Sequence, residues 1–459
     1  MKILIVGAGR VGTSVAENLV SEHNDITVID DDPSRLSDLQ ERFDLRGVAG
    51  DGTQASVLKR AGAEDADMLI ACAASDAVNL VTCKISRTLF NVPRRVARIR
   101  SSELPGIPEL LEEDGFAVDA LISPEASVTS YLQKLIEFPE ALQVVEMAHG
   151  RVSVITMRAG ADGFMANHAL KDLRAMSPDV NARVVDIVRM DKPLTISPET
   201  ILRPGDELLL IADTESAHQA VYQMHKSEES VRRLMIAGGG NIGARLAKTL
   251  GERGYNVRII EQDLARCELL ASTLPDNVLV LHGNGTDESL LQREGIEEMD
   301  TWLALTSDDE DNIMSSLLAK RMGARRVIAL INRQAYGELM EGTHIDIAVS
   351  PAQATMSELL RYVRRGDIVG AHRLRGGLAE VLELVAHGDR KSSKVVGRKI
   401  SELVLPKGAT IGALVRGEEI IITDQQAVIE PDDHVVIFVS SRTQVPKVEK
   451  LFQVSASFF

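Results

Sequence analysis

The chain has 459 residues, enough for about three or four domains of ordinary size. Its 51 lysines and arginines against 67 acids give a formal net charge of -16, which argues against a nucleic-acid partner, because such a partner needs a basic surface. Cys72, Cys83 and Cys267 are too few and too scattered for a disulfide framework or a zinc site, and no run of 18 apolar residues could span a bilayer, so a membrane association must go through a partner. The expected compartment is a reducing cytoplasm; the N-terminus enters a strand directly, with no room for a signal peptide.

In chain order, the first element is an apolar run, Met1 to Val6, followed by Gly7-Ala8-Gly9-Arg10-Val11-Gly12 and a helical pattern. A second strand, Ile26 to Asp30, ends in an acid 18 positions after the third glycine. A third strand leads to Gly50-Asp51-Gly52-Thr53, and a fourth runs from Asp67 to Cys72. A helix bearing Asn79 follows, then a fifth strand from Val96 to Arg100. Strands alternating with helices make a parallel, doubly wound sheet. After Ser123-Pro124 a helical stretch carries Val128, Leu132, Leu135 and Ile136 at three- and four-residue spacing. Short β-branched runs then fill 144–212, closing on the turn Pro204-Gly205-Asp206 and a strand.

The whole order then repeats. Leu234 to Ala237 leads into Gly238-Gly239-Gly240-Asn241-Ile242-Gly243, and Glu261 again stands 18 positions beyond. Gly283-Asn284-Gly285-Thr286, a strand from Asp300 to Leu305, Asn312, a fifth strand from Val327 to Ile331 and Ser350-Pro351 follow. A second helix carries Met356, Leu359, Leu360 and Val363, and short strands fill 369–440. Pro124 to Pro204 and Pro351 to Pro431 are both 80 residues. The fold class is therefore α/β: two Rossmann domains (1–138 and 231–365), each followed by a small α+β lobe (139–226 and 366–455), in tandem duplication. The charged stretch from His225 to Arg233 is the expected linker.

One G-x-G-x-x-G alone is weak, since glycines also serve turns and helix packing; here strand, helix and acid accompany it twice. Gly7 permits the tight turn, Gly9 lets the backbone approach a pyrophosphate, and Gly12 lets the helix pack on the sheet. The helix N-terminus supplies N–H donors and a positive dipole end. Asp30 and Glu261 are the expected acceptors for ribose hydroxyls; the plain alternative is a solvated acid at a strand end. Asp31 and Asp32 extend the acid to three residues, which would repel a 2′-phosphate and favours NAD(H) over NADP(H). Ala73 and Ala74, with Leu305 and Thr306, end the fourth strands, where small residues leave room for a nucleotide. Cys72 aligns with Leu305 and reads as core.

Arg95, Arg98 and Arg100 are unusual in a strand buried on both faces. A guanidinium suits a phosphate; the plain alternative is an ion pair with the chain's own acids. Arg98 and Arg100 fall on Ala329 and Ile331 in the second copy, and Arg10 on Asn241, so the two sites differ in charge. His149-Gly150 and His387-Gly388 read as structural. No catalytic set, metal-ligand set or hydride-transfer acid or base is evident, and Asp51 and Asn284 join the candidate crevice residues.

The runs around Gly7 to Gly12, Ala61 to Met68, Ala97 to Ser101, Gly238 to Gly243, Asn312 to Met314, Leu318 to Ala324 and Ala386 to Asp389 make the chain resemble the KTN/RCK family, which gates potassium channels and transporters, over essentially its whole length. The resemblance implies Rossmann domains that bind NAD(H), with ATP and ADP as further ligands, and regulatory lobes. It implies a homo-oligomeric ring, commonly a tetramer, at the cytoplasmic face of a membrane pore subunit of the TrkH or TrkG type. Family NAD contacts fall on Gly7 to Val11, Asp30, Ala73, Ala74 and Arg98, and in the second copy on Gly238 to Ile242, Glu261 and the end of strand four. The competing readings are an NAD-dependent oxidoreductase and a regulator of another cation carrier.

Overall fold

The computed structural model of the chain describes residues 1–20, 24–101, 103–226, 231–340, 343–364, 368–424 and 426–454. The expected linker falls partly, and the boundaries at 365, 366 and 455 wholly, outside these residues. The chain divides into two compact units, Met1–Val128 with Pro351–Leu359, and Thr129–Ser350 with Leu360–Phe459.

The first unit holds six parallel strands: β1 (Lys2–Val6), β2 (Asp25–Asp30), β3 (Arg46–Ala49), β4 (Met68–Ala71), β5 (Arg94–Arg98) and β6 (Ala120–Ile122), ordered β3-β2-β1-β4-β5-β6. Ile3, Ile5, Met68, Leu69 and Ile70 are 0–1% exposed, as expected of central strands covered on both faces. Strand β6 was not anticipated; three residues are too few to establish a period.

In the second unit comes a five-stranded antiparallel sheet of β7 (Ala141–Met147), β8 (Val152–Arg158), β9 (Ala182–Arg189), β10 (Lys192–Pro193) and β11 (Glu207–Asp213), ordered β10-β9-β11-β8-β7. Next is a second parallel sheet, β12 (Arg233–Ala237), β13 (Asn256–Glu261), β14 (Val278–His282), β15 (Thr301–Ala304), β16 (Arg326–Leu330) and β17 (Ile347–Val349), with the first sheet's order. A second antiparallel sheet of β18 (Ile368–Leu374), β19 (Ala379–Val385), β20 (Ala409–Arg416), β21 (Glu419–Ile422) and β22 (His434–Val439) follows, ordered β18-β19-β22-β20-β21, which is the first lobe's topology again. The two lobes share one core: Met147, Val154 and Ile211 pack in a single cluster with Val381, Val415 and Phe438. Gly412 permits this approach, because a Cβ there would lie 2.2 Å from Ile211 Cδ1. Glu383 crosses between lobes, accepting a hydrogen bond from the Ala148 amide at 2.8 Å and contacting His434 Nδ1 at 2.6 Å.

The Ser-Pro helices are Pro124–Glu137 and Pro351–Val363, with their apolar stripes buried. The fifth strands start and end earlier than expected, at Arg94–Arg98 and Arg326–Leu330. The His-Gly pairs are not equivalent: His149-Gly150 makes the turn from β7 to β8, whereas His387-Gly388 lies beyond β19.

Candidate functional site

Strand order reverses between β1 and β4, and again between β12 and β15, so each sheet opens a crevice beyond the carboxyl ends of those strands. In the first, Val6 pairs with Ala71 in register, which sets Gly7 against the start of the next loop. Gly7 has φ +102°, and a Cβ there would meet Ala73 N at 2.8 Å; Gly238 has φ +107° and would meet Thr306 N at 2.9 Å. A Cβ on Gly12 would lie 1.8 Å from Gly7 O, and one on Gly243 2.0 Å from Gly238 O, so both third glycines seat a helix on the turn. Gly9 and Gly240 differ: a Cβ on either meets no protein atom within 4 Å. Packing does not explain those two glycines, and the open space in front of them is what a close-approaching pyrophosphate needs. The helices Arg10–Val20 and Asn241–Glu252 begin there, with Arg10 and Asn241 exposed and Val11 and Ile242 half-buried.

The acids ending β2 and β13 tie these loops down. Asp30 Oδ2 accepts from the Ala8 amide at 2.5 Å and Oδ1 from Asp32 N at 2.9 Å. Glu261 Oε2 accepts from Gly239 N at 2.8 Å, and Oε1 from the amides of Gln262 and Asp263 at 2.7 and 2.9 Å. A carboxylate has about four lone-pair sites, so each acid retains capacity for a ribose hydroxyl. Asp32 caps the helix Pro33–Arg42; the Ser34 hydroxyl and amide hold its carboxyl below the usual range. Sequence reasoning passed over Arg35, whose guanidinium lies 3.6 Å from Asp30 and 3.4 Å from Asp32, and its counterpart Arg266, which donates to Gly239 O at 2.9 Å. Their signal was an arginine five residues after each acid.

At the β4 end, Ala73 is half-buried and Ala74 exposed, while Cys72 and Leu305 are buried at 3% and 4%. Leu305 therefore presents backbone rather than side chain to the crevice, and Thr306 beside it is half-buried. Burial pushes the Cys72 thiol up to about 12, in keeping with a core residue. The fully buried Asn79 and Asn312 clamp the crevice floor. Asn79 accepts from Ala73 N and donates to the carbonyls of Ala73 and Arg98, and Asn312 does the same with Thr306 and Leu330. Asp76 accepts from the amides of Arg100 and Ser101, and Asp309 from those of Asn332 and Arg333, roles not anticipated. Asp51 and Asn284 shape the loops after β3 and β14, each accepting from a threonine amide and hydroxyl two residues on, at 2.7–2.9 Å.

These matching bonds correct the pairing of the copies. Arg98 is equivalent to Leu330, not Ala329, and Arg100 to Asn332, not Ile331. The two strands match from the arginines that begin them, Arg94 and Arg326, rather than from their first apolar residues. Arg95 stands at the strand's amino half and bonds Asp119, Ala117 O and Val92 O, so it takes the ion-pair role. Arg98 Nη2 donates to Glu125 Oε1 at 2.9 Å, while its buried Nε has no hydrogen-bond partner. Glu125 is equivalent to Ala352, so the two charged residues of the first copy are replaced by apolar ones in the second.

Two tandem crevices of this kind, each sheet followed by an antiparallel lobe, define the RCK fold. The crystal structure of the GsuK RCK domain superposes with a TM-score of 0.61, covering 98% of this chain and 94% of that one at 16% identity. The GsuK channel bound to NAD superposes at 0.60, covering 98% and 78% at 17% identity. The TrkA-N domain family matches residues 3–124 and 234–351, and the TrkA-C domain family 154–221 and 390–453. The Trk system potassium uptake proteins TrkA of Vibrio alginolyticus and Halomonas elongata are 48% and 47% identical over 459 residues, 100% of each chain. The chain belongs to the TrkA family of Trk system potassium uptake proteins.

Proposed function

We propose that the chain is the nucleotide-binding regulatory subunit of a potassium-uptake system, binding NAD(H) in its two crevices, with ATP and ADP as further ligands. The observation that carries this reading is the open space before Gly9 and Gly240, beside helix N-termini and a carboxylate at the end of the second strand. The pyrophosphate would lie against Gly7 to Gly12 and Gly238 to Gly243, the riboses against Asp30 and Glu261, and the adenosine near Asp51, Ala73 and Ala74, or Asn284, Leu305 and Thr306. Arg98 and Arg100 would engage phosphates in the first crevice, Arg98 by leaving Glu125. The four-domain division at 138, 226, 231 and 365 belongs to this reading, as does a tetrameric ring on the cytoplasmic face of a membrane pore subunit of the TrkH or TrkG type.

A nucleotide that gates must bind two conformations unequally, since equal affinity shifts nothing. Nucleotide is sensed and not consumed in this account. Calorimetric titration of the purified chain with NADH, NADPH, ATP and ADP, followed by an assay for NADH oxidation, tests it. Stoichiometric binding of NADH with no turnover is expected; NADH oxidation coupled to a reducible substrate would favour an oxidoreductase, and no binding of any of the four would remove the proposal.

A further inference from the structure

The second lobe departs from the first at one corresponding place. Asn167 N donates to Leu202 O and Leu202 N to His168 O, just as Gly397 N donates to Ile429 O and Ile429 N to Arg398 O, which makes Phe164 equivalent to Lys394. The closing helices Ala217–Met224 and Val445–Phe452 bury the same four positions, which makes Tyr222 equivalent to Lys450. In the first lobe the rings of Phe164 and Tyr222 meet here, with centroids 5.7 Å apart. In the second lobe a depression of about 300 Å³ is lined by Leu405, Pro406 and Leu451 with Lys394, Lys447 and Lys450, and the exposed Val404 stands at its edge. Val404 is 89% exposed, among the most exposed apolar side chains described.

Charge follows the same division. Residues 390–407 and 442–450 carry six and three lysines and arginines against two glutamates, within a chain of net charge -16. The corresponding residues 160–180 and 214–222 carry two basic residues against four acids. An exposed aliphatic tip ringed by lysines suits an interface that is apolar at depth and anionic at its surface. A soluble acidic protein segment would match the rim but gives no reason for the protruding valine.

We infer that the second lobe docks directly on anionic phospholipid, with the lysines against headgroup phosphates and Val404 and Leu405 at the acyl boundary. The membrane would then be contacted by the chain itself, as well as through a pore subunit. The inference does not depend on the nucleotide sites.

The test is flotation of the purified full chain, without pore subunit, on vesicles of phosphatidylcholine alone or mixed with phosphatidylglycerol. Binding to the mixed vesicles only, weakening with salt, is expected. Each of Lys394→Gln, Lys447→Gln and Lys450→Gln should lower the partition coefficient by about fivefold. Val404→Ser should lower it at unchanged salt dependence, and Lys394→Phe with Lys450→Tyr, which restores the first lobe's aromatic pair, should abolish it. NADH binding of each variant reports that it is folded. Equal partition onto both vesicles, or partition unchanged in the triple glutamine variant, would overturn the inference. So would saturable binding of inorganic phosphate or polyglutamate at these lysines by a chain that ignores vesicles.

Discussion

A methyl group on Gly12 would sit 1.8 Å from Gly7 O, whereas one on Gly9 would meet nothing. The two alanine variants should therefore part company. Gly12→Ala should lose about 1–3 kcal/mol of stability, the usual cost of overpacking. Gly9→Ala should melt within a degree or two of the parent, yet bind NADH far more weakly; equal loss of stability in both would mean that Gly9 serves packing. Arg98 and Glu125 offer a second separation, because the equivalent pair is Leu330 and Ala352. Arg98→Leu alone should cost about 3 kcal/mol by removing the guanidinium from a largely buried carboxylate, and adding Glu125→Ala should recover most of it. A double-mutant cycle in denaturant measures the coupling, and simple additivity would show the pair to be independent.

At the scale of elements, much was legible because the duplication supplied two readings of each signal. The glycine turns, the acids ending β2 and β13, and the Ser-Pro helices each recur at matched spacing, and a backbone requirement leaves such marks. The phase of β5 was not legible. Arg94 and Arg95 begin that strand, and the partners that hold a buried Arg95, Asp119 and Ala117 O ahead of the unforeseen β6 together with Val92 O, lie outside the strand itself. Arg35 and Arg266 were missed because a single arginine on a helix's first turn is ordinary; its meaning comes from the carboxylate beside it. The joining of the two lobes was equally hidden, since alternating strands announce a buried face without naming its partner. Phe438→Ala in that shared core should cost about 3–5 kcal/mol, read as a fall in melting temperature.

His372 in β18 adds a pH dependence. Although it keeps an exposed edge, burial around its imidazole lowers its pKa to about 4 from 6.5. The unfolded chain then binds the extra proton first, so stability is retained above about pH 6.5 and lost as pH falls toward 4. Replacing His372 by Gln should flatten the stability profile across that window; an unaltered profile would place the acid sensitivity elsewhere.

At the scale of the whole molecule, the duplication puts two unequal copies in one chain, with Arg10, Arg98 and Arg100 at the positions where the second has Asn241, Leu330 and Asn332, and in the proposed reading these arginines serve the first crevice. The more charged nucleotide should depend more on the first. Arg98→Ala with Arg100→Ala should weaken ATP more than NADH, with the gap shrinking at high salt. Equal losses for both ligands would leave the inequality structural. Among the described residues no helix is long and apolar enough to cross a membrane.

The central claim is that nucleotide occupancy of the glycine crevices governs transport. Potassium uptake by cells whose only copy of the chain carries Gly9→Ala and Gly240→Ala tests it most directly, because those substitutions fill space that no protein atom uses. Uptake that no longer responds to changes in cellular NADH and ATP, with the chain still folded and at its normal level, is the predicted result. Undiminished nucleotide control in cells whose purified variant binds no nucleotide would contradict it.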